Sequence, residues 1–403
     1  MGSESLYRQK LWIFLGVALG VRLFLAALVY GYPSDMGCFS GWSEYVAGAG
    51  FSRFYSGEIF ADYPPGYIYP LFLVGTLRRV FQIPVNSAMH LMLVKMPALL
   101  ADMVLSLVLY QIGKDKIGHR ASFLLALAFA FNPAVGLNSA LWGQVDSFFM
   151  LPLSMGIFLL AEGKVEWSVL FWTLALLVKP QALFFAPLWL FAFIEQKDFR
   201  VILKSVLTGT GTFVLLSLPF SGPETVIRVY RGTVGSYPYA TLNAFNFLAL
   251  LGGNWVLDQT RNFFLSYRNW GYLMLSLVFF LAAFFFFRGK GKAKFFLVAS
   301  FLAFSVFLFA PRMHERYLFP ALFLCLLWYL FEPRRELLFL YFGLSGTFFV
   351  NVGLVLLLAL LYEAYHLPRF NPWLLCVSAL NCALWGFLFW TVKSKAKSEG
   401  TAG

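Results

Sequence analysis

The chain has 403 residues, of which 60% are hydrophobic and 12% are charged, and its formal net charge is +12. Apolar runs of about 15 to 25 residues recur along its length, which excludes a soluble globular protein and predicts an all-α integral membrane protein. The positive charges stand in short clusters between these runs. Such clusters are typical of membrane topology signals and argue against a nucleic-acid partner.

The first predicted membrane span covers residues 11–30 and follows two basic residues, Arg8 and Lys10. Because basic residues favour the cytoplasmic side, we expect the N-terminus in the cytoplasm. Residues 32–87 then form a long first external loop that carries helices lying beside the membrane. The short apolar run at 67–81 is interpreted as one of these interfacial helices. If it spans the membrane instead, the sidedness of every later segment is reversed.

Further apolar runs alternate across the membrane at residues 88–110, 121–140, 147–160, 167–178, 182–193, 201–220, 270–287, 295–310, 318–331, 337–361 and 373–392. Together with the first run they predict about 12 transmembrane helices, with both termini in the cytoplasm. A second long external segment is expected at residues 221–269. No soluble domain is evident, so residues 1–403 are predicted to form a single polytopic membrane domain.

Short motifs that contain charged, amide or aromatic residues collect in the predicted external segments. They are Asp35, Trp42, Asp62-Tyr63-Pro64-Pro65, Trp142-Gly143-Gln144-Val145-Asp146-Ser147, Lys179-Pro180-Gln181 and Met313-His314-Glu315-Arg316-Tyr317. Ionisable residues at membrane depth are costly and are usually functional, which predicts a site at the outer end of the bundle. Lys95 and Asp102 share one face of a predicted span, and we expect them to pair with polar groups of other spans; the alternative is that they belong to the site.

In this order, the motifs resemble those of the polytopic glycosyltransferases of the GT-C class. The chain resembles above all the bacterial relatives of the second mannosyltransferase of GPI-anchor synthesis, and the resemblance covers residues 35–320. It implies a GT-C fold and an inverting transfer of a hexose on the outer face of the membrane. The implied donor is a polyprenyl-phosphate sugar, and the implied hexose, mannose, rests on the resemblance alone.

An inverting transfer needs a carboxylate that accepts the proton of the attacking hydroxyl. The resemblance implies this role for Asp35; the alternative is a carboxylate that caps the following helix. Asp146 is the second candidate, as a base, a substrate ligand or a cap on the next span. Asp62 either binds acceptor hydroxyls or shapes its loop. Trp42 and Trp142 suit stacking on a sugar, and the other substrate-binding candidates are Tyr63, Gln144 and Gln181.

The leaving group of this reaction is a lipid phosphate, so the site needs cations rather than a nucleotide-binding fold. Arginine matches phosphate oxygens with paired hydrogen bonds. We therefore expect the phosphate to contact Arg312, His314 and Arg316, with Lys179 in support. The alternative for the two arginines is contact with lipid headgroups. The alternative for Lys179 is a buried ion pair with a carboxylate.

The sequence contains no Asp-x-Asp motif. The divalent-metal site of oligosaccharyltransferases is therefore not expected, and neither is a cofactor. The large C-terminal domain of those enzymes is missing too, which favours a lipid-linked or glycan acceptor over a protein. Membrane lipids are the remaining expected partners. The short chain without a retention signal indicates a bacterial cytoplasmic membrane.

A transporter or flippase of a lipid-linked glycan is the alternative function. Against it, the sequence shows no internal repeat of the kind found in many secondary transporters. Its ionisable residues also lie in external segments rather than at the membrane midplane. The depth of Asp35 and His314 separates the two functions, because a transporter needs them mid-membrane and a transferase needs them at the outer interface.

Overall fold

A computed structural model describes residues 3–363 and 365–400 of the chain. Most of these residues are helical, and the β-strands among them are two residues long each. The predicted all-α architecture is therefore confirmed. The chain divides into two compact units, a first unit of Met1–Tyr237 and a second unit of Pro238–Gly403. The single polytopic domain over residues 1–403 stays a prediction.

The first unit is built from long apolar helices and shorter connecting ones. Helix α4 packs against α1, α5 and α7, helix α8 packs against α7 and α10, and α2 packs against α3. Their bounds are α1 (Ser3–Leu28), α2 (Pro33–Ala49), α3 (Pro65–Val80), α4 (Ala88–Ile117), α5 (His119–Ala130), α6 (Pro133–Gly136), α7 (Asp146–Ala161), α8 (Val165–Val178), α9 (Ala186–Gln196), α10 (Phe199–Ser217) and α11 (Pro223–Gly235).

The second unit contains the helices α12 (Phe247–Leu250), α13 (Tyr267–Arg288), α14 (Ala293–Phe309), α15 (Phe319–Phe331), α16 (Arg335–Tyr362) and α17 (Pro372–Gly400). Its short strands are β1 (Thr241–Leu242), β2 (Arg261–Asn262), β3 (Leu265–Ser266) and β4 (Met313–His314). Strands β1 and β4 pair in parallel, with Leu242 opposite His314, and β2 and β3 form an antiparallel hairpin. Helix α14 packs against α13 and α15, and α16 packs against α15 and α17.

Within the described residues, seven helical segments are long and apolar enough to cross a membrane: Glu4–Leu28, Ala88–Ile117, His119–Trp142, Phe199–Phe220, Tyr267–Arg288, Arg335–Tyr362 and Pro372–Lys393. Asp146–Ala161, Val165–Val178 and Ala293–Phe309 are shorter apolar helices. Each run interpreted as a span contains helix, but the number that cross stays a prediction. The external segment predicted at 221–269 contains α11, α12 and strands β1 to β3.

Helices α2 and α3 carry the first-loop motifs and cross in close contact. Both begin at a proline, Pro33 and Pro65, at a position where the missing N–H is not needed by the helix. A β-carbon added at Gly75 of α3 would lie 2.7 Å from the carbonyl carbon of Ser43 in α2. Glycine at this position therefore sets how closely the two helices approach.

Candidate active site

A turn of unusual geometry brings the motif that starts at Trp142 to the beginning of α2. Residues Leu137–Trp142 form a π-helical turn, a geometry that is frequent at functional sites, and Gly143 ends it with a φ of +91°. A side chain at Gly143 would also collide with Met36 of α2. The backbone N–H of Tyr32 donates to the carbonyl oxygen of Trp142 over 3.0 Å, and the two rings stack with centroids 4.3 Å apart.

Asp35, in the first turn of α2, is held by two donors from this segment. The indole Nε1 of Trp142 and the amide Nε2 of Gln144 donate to Oδ2 of Asp35 over 2.7 and 2.6 Å. Trp142 and Gln144 are fully buried, whereas Asp35 is half-buried. The N-cap of α2 is Tyr32 rather than Asp35. The structure thus orients Asp35 by tertiary contacts from Trp142 and Gln144.

A buried ion pair lies beside Gln144. Nζ of Lys179 is 2.5 Å from Oδ1 of Asp146, and their side chains are 2% and 4% exposed. Nζ of Lys179 also lies 3.4 Å from Oε1 of Gln144. Asn138 donates to Oδ2 of Asp146 over 3.1 Å. The sequence left open whether Lys179 binds the donor phosphate or pairs with a carboxylate, and the structure shows the pair.

Aromatic rings of the first loop pack with centroids 5.1 to 6.1 Å apart in one cluster of Phe39, Trp42, Tyr63 and Tyr67. Trp42 is 3% exposed and donates Nε1 to the carbonyl oxygen of Phe60, and Trp142 is 0% exposed. Both indoles are thus buried in the packed structure, and stacking of either on a sugar stays a prediction. Tyr63 is half-buried, with Nζ of Lys179 5.9 Å from its ring centroid.

The thiol of Cys38 responds to burial and to the charges of two candidate site carboxylates. Burial raises the pKa of Cys38 to about 11, and the negative charges of Asp62 and Asp35 add to the rise. The side chain of Asp62 is half-buried, and its backbone carbonyl oxygen accepts a hydrogen bond of 2.9 Å from Oγ1 of Thr233.

Oε1 of Gln181 is buried without a hydrogen-bond partner among the described residues. Substrate binding by Asp62 and Gln181 stays a prediction.

In the second unit, Arg312 is engaged by a carboxylate that the sequence analysis did not single out. Nε and Nη2 of Arg312 donate to Oδ2 of Asp258 over 2.9 and 2.8 Å, and Asp258 is 0% exposed. Arg312 has a φ of +64°, and its backbone N–H donates to Ala240 over 3.0 Å. Asp258 lies in the segment predicted as an external loop, where a single carboxylate gave no signal of its own.

His314 and Arg316 flank a buried carboxylate in the same unit. His314 lies in strand β4 and is half-buried, with its ring centroid 5.2 Å from that of Tyr317. Nη1 of Arg316 donates to Oε1 of Glu315 over 2.8 Å, and both side chains are largely buried. A phosphate ligand at this position would therefore share Arg316 with Glu315. Donor binding by Arg312, His314 and Arg316 stays a prediction.

A second polar cluster lies inside the candidate spans of the first unit. Arg22 of α1 donates to Asp102 of α4 over 2.9 Å, and Oγ of Ser139 donates to the same carboxylate over 2.6 Å. Ser147 donates to its other oxygen. Lys95 donates to the carbonyl oxygen of Val29, after the end of α1, over 2.6 Å. The expected pairing of Lys95 and Asp102 with polar groups of another span is confirmed.

The two clusters meet in one segment of chain. Asn138 and Asp146 belong to the cluster with Lys179, whereas their neighbours Ser139 and Ser147 contact Asp102.

In the part of the chain that the structure describes, no group of three or more His, Cys, Asp or Glu side chains could hold a metal ion. The expected absence of a metal or cofactor nevertheless stays a prediction.

The geometry gives the candidate site one half-buried carboxylate, Asp35, that is oriented by two buried donors. Behind it stand a buried amide and a buried ion pair, Gln144 and Lys179–Asp146. Such an arrangement can hold a proton acceptor in a fixed position at a partly open surface. Comparison of the chain with protein-family models and with curated protein sequences gives no match.

Proposed function

We propose that the chain is an inverting glycosyltransferase of the GT-C class, which moves a hexose from a polyprenyl-phosphate donor to a lipid-linked or glycan acceptor. The observation that carries the proposal is the pair of hydrogen bonds from Trp142 and Gln144 that fixes Oδ2 of Asp35. Mannose is the proposed hexose, and a cell-surface glycan is the proposed product. No metal or cofactor takes part in this proposal.

In the proposed reaction, an acceptor hydroxyl oxygen forms a bond to the anomeric carbon of the donor sugar. The bond between that carbon and the phosphate oxygen breaks, its electron pair leaves with polyprenyl phosphate, and the hydroxyl proton passes to Asp35. The hydrogen bonds from Trp142 and Gln144 to Oδ2 hold this carboxylate in a fixed orientation. Fixing both substrates against this carboxylate supplies much of the remaining rate.

Cations are assigned to the leaving phosphate, which gains negative charge as the sugar departs. We assign this contact to Arg312, His314 and Arg316. Lys179 is left out of the assignment, because its side chain is 2% exposed and its charge is already neutralised by Asp146. Asp62, Tyr63 and Gln181 are assigned to the sugars, since Asp62 and Tyr63 are half-buried and Gln181 has a buried oxygen that needs a donor.

The proposal places the protein in a bacterial cytoplasmic membrane with about 12 transmembrane helices and both termini in the cytoplasm. The first loop, residues 32–87, and the segment 221–269 then face outward. Seven helical segments of spanning length and apolar composition within the described residues support a membrane protein. Asp35 lies in α2, outside those segments, which suits a transferase at the interface.

A transporter or flippase of a lipid-linked glycan is the second candidate. The observation that favours it is the ion pair of Arg22 with Asp102 inside two candidate spans, because buried charges at membrane depth often mark a transport pathway. The same pair can also serve only to hold α1 against α4. A transporter would move a lipid-linked glycan without breaking its sugar–phosphate bond, which makes product analysis the deciding measurement.

The experiment uses purified full-length protein with a panel of polyprenyl-phosphate hexoses and a bacterial lipid extract as the acceptor source. Release of polyprenyl phosphate is followed for wild type and for Asp35→Asn, with Asp198→Asn as the matched control at an exposed helix cap. The proposal expects turnover in wild type and in the control and a loss of turnover in Asp35→Asn with donor binding retained. Turnover that survives Asp35→Asn would move the base to Asp62 or Asp146. Binding of donor without release of polyprenyl phosphate would favour the transporter.

A further inference from the structure

Lys179 is almost completely buried and contacts Gln144, which in turn contacts the proposed base. Its Nζ is 2.5 Å from Asp146 and 3.4 Å from Oε1 of Gln144, whose Nε2 is 2.6 Å from Asp35. We infer that Lys179 is a positioning residue, which sets the orientation of the Gln144 amide and thereby the position of Asp35. This inference rests on the proposed function, in which Asp35 is the base.

The partners of Gln144 allow one orientation of its amide. A carboxylate can only accept a hydrogen bond and an ammonium group can only donate one. The amide nitrogen must therefore face Asp35, and the amide oxygen must face Lys179 and the backbone N–H of Val145, which lies 3.2 Å away. Gln144 is 0% exposed, so water cannot replace either partner freely.

Lys179 supplies a hydrogen-bond donor at this position rather than a net charge. Its ammonium group is paired with Asp146, and Asn138 holds the other oxygen of that carboxylate at 3.1 Å. The ring centroid of Tyr63 lies 5.9 Å from Nζ. A phosphate ligand would have to displace Asp146 from a pair that is almost completely buried.

Loss of the Lys179 ammonium group would leave the Gln144 amide oxygen held only by the backbone N–H of Val145, at 3.2 Å. The amide would be held less firmly, and its hydrogen bond of 2.6 Å to Asp35 would weaken. Asp35 would shift within its site, and a displacement of about 1 Å costs on the order of 100-fold in rate. Binding of the polyprenyl-phosphate sugar would be unchanged, because neither Lys179 nor Gln144 needs to touch that substrate for this effect.

Two matched double variants separate a donor from a charge. Lys179→Gln/Asp146→Asn removes both charges but keeps a hydrogen-bond donor for Oε1 of Gln144. Lys179→Met/Asp146→Leu removes both charges and the hydrogen-bond donor. We expect kcat within about threefold of wild type for the first and about 100-fold lower for the second. The Kd for the polyprenyl-phosphate sugar should be unchanged in both variants. Lys179→Leu/Asp146→Val is the second variant without a hydrogen-bond donor at either position, for use if the first fails to fold.

A second measurement needs no substrate. Carbodiimide modifies protonated carboxyl groups, and its reaction at Asp35 is followed by peptide mass spectrometry relative to the exposed Asp198 in the same sample. A weaker hydrogen bond from Gln144 stabilises the ionised carboxylate of Asp35 less and so favours its protonated form. We therefore expect faster labelling of Asp35 in Lys179→Met/Asp146→Leu, which has no hydrogen-bond donor for Gln144. Lys179→Gln/Asp146→Asn should show wild-type labelling.

Each outcome decides one point. If both double variants keep the kcat and the labelling of wild type, the positioning role is overturned and Val145 alone orients the amide. If both are changed to the same extent, the hydrogen-bond donor is not what matters and the role is overturned as well. A weaker donor Kd in both would assign Lys179 to the phosphate and overturn it as well. If labelling responds as expected but wild type shows no transferase activity with any donor, the positioning of Asp35 stands and the proposed function fails.

Discussion

The indole N–H of Trp142 donates to Asp35 over 2.7 Å while the ring of the same residue stacks on Tyr32. One side chain therefore supplies both a hydrogen bond to the proposed base and a packing surface for the start of α2. Removing only the hydrogen bond separates these two contributions, because phenylalanine keeps an aromatic ring but carries no donor.

We expect Trp142→Phe to lower kcat by about 10- to 100-fold, since a hydrogen bond to a charged group contributes about 1.5–3 kcal/mol. Trp189→Phe is the matched control: Trp189 is 1% exposed, stacks on Trp172 and donates to Oγ of Ser168 over 2.8 Å. Turnover of a polyprenyl-phosphate hexose is measured for both. Equal losses in the two variants would mean that the indole acts through packing alone.

Gly75→Ala should destabilise the contact between α2 and α3. The new β-carbon would collide with the backbone of Ser43, and overpacking of this kind costs about 1–3 kcal/mol. Gly41→Ala is the control in α2, where a β-carbon meets nothing within 4 Å and alanine favours the helix by about 1 kcal/mol. Thermal unfolding in detergent should show a lower midpoint for Gly75→Ala only.

Asp102→Asn should destabilise the first unit strongly, because it leaves Arg22 buried without its counter-charge. Breaking a buried ion pair by removing one partner costs about 3–5 kcal/mol. The double variant Arg22→Met/Asp102→Leu replaces the pair by apolar groups and should recover most of that loss. Chemical unfolding in detergent checks both variants, and a double variant as unstable as the single one would contradict this explanation.

The thiol of Cys38 should react slowly at neutral and mildly alkaline pH. Its pKa is raised to about 11 by burial and by the charges of Asp62 and Asp35. The thiolate is the reactive form, and at pH 8 its fraction is about 100-fold below that of an ordinary thiol. Alkylation followed by peptide mass spectrometry should accelerate as pH rises toward 11.

Asp62→Asn supplies the control for the thiol. Removing the negative charge lowers the pKa of Cys38 and should speed its alkylation at a given pH, while the contribution of burial remains. Glu58→Gln, at an exposed position of the same loop, should leave the rate unchanged. A rate that does not respond to Asp62→Asn would place that carboxylate too far away to act on the thiol.

Apolar length and charge spacing were sufficient to predict the helical membrane architecture, since both are local properties of the sequence. The pairing of Asp102 was predictable only in kind, because a buried carboxylate needs a partner but nothing in the sequence says that the partner is Arg22. The same limit applies to Lys179, for which two partners were conceivable and Asp146 is the one observed.

The burial of the tryptophans could not be predicted from residue type. An aromatic residue in a polar loop suits a sugar platform as well as a buried support, and the sequence does not say how exposed it is. Trp142 is 0% exposed because a π-helical turn and a left-handed glycine direct its ring inward, a backbone feature that no periodicity in the sequence reveals. Asp258 escaped notice for a related reason, as its partner Arg312 is distant in sequence.

Adjacent residues of the segment 138–147 serve different clusters: Asn138 and Asp146 belong to the one with Lys179, and Ser139 and Ser147 to the one with Asp102. A rotation of this backbone that suits one cluster disturbs the other. We therefore expect coevolution between the positions that contact Asp102 and the positions beside the proposed base. A redesign of this turn would have to change both clusters together.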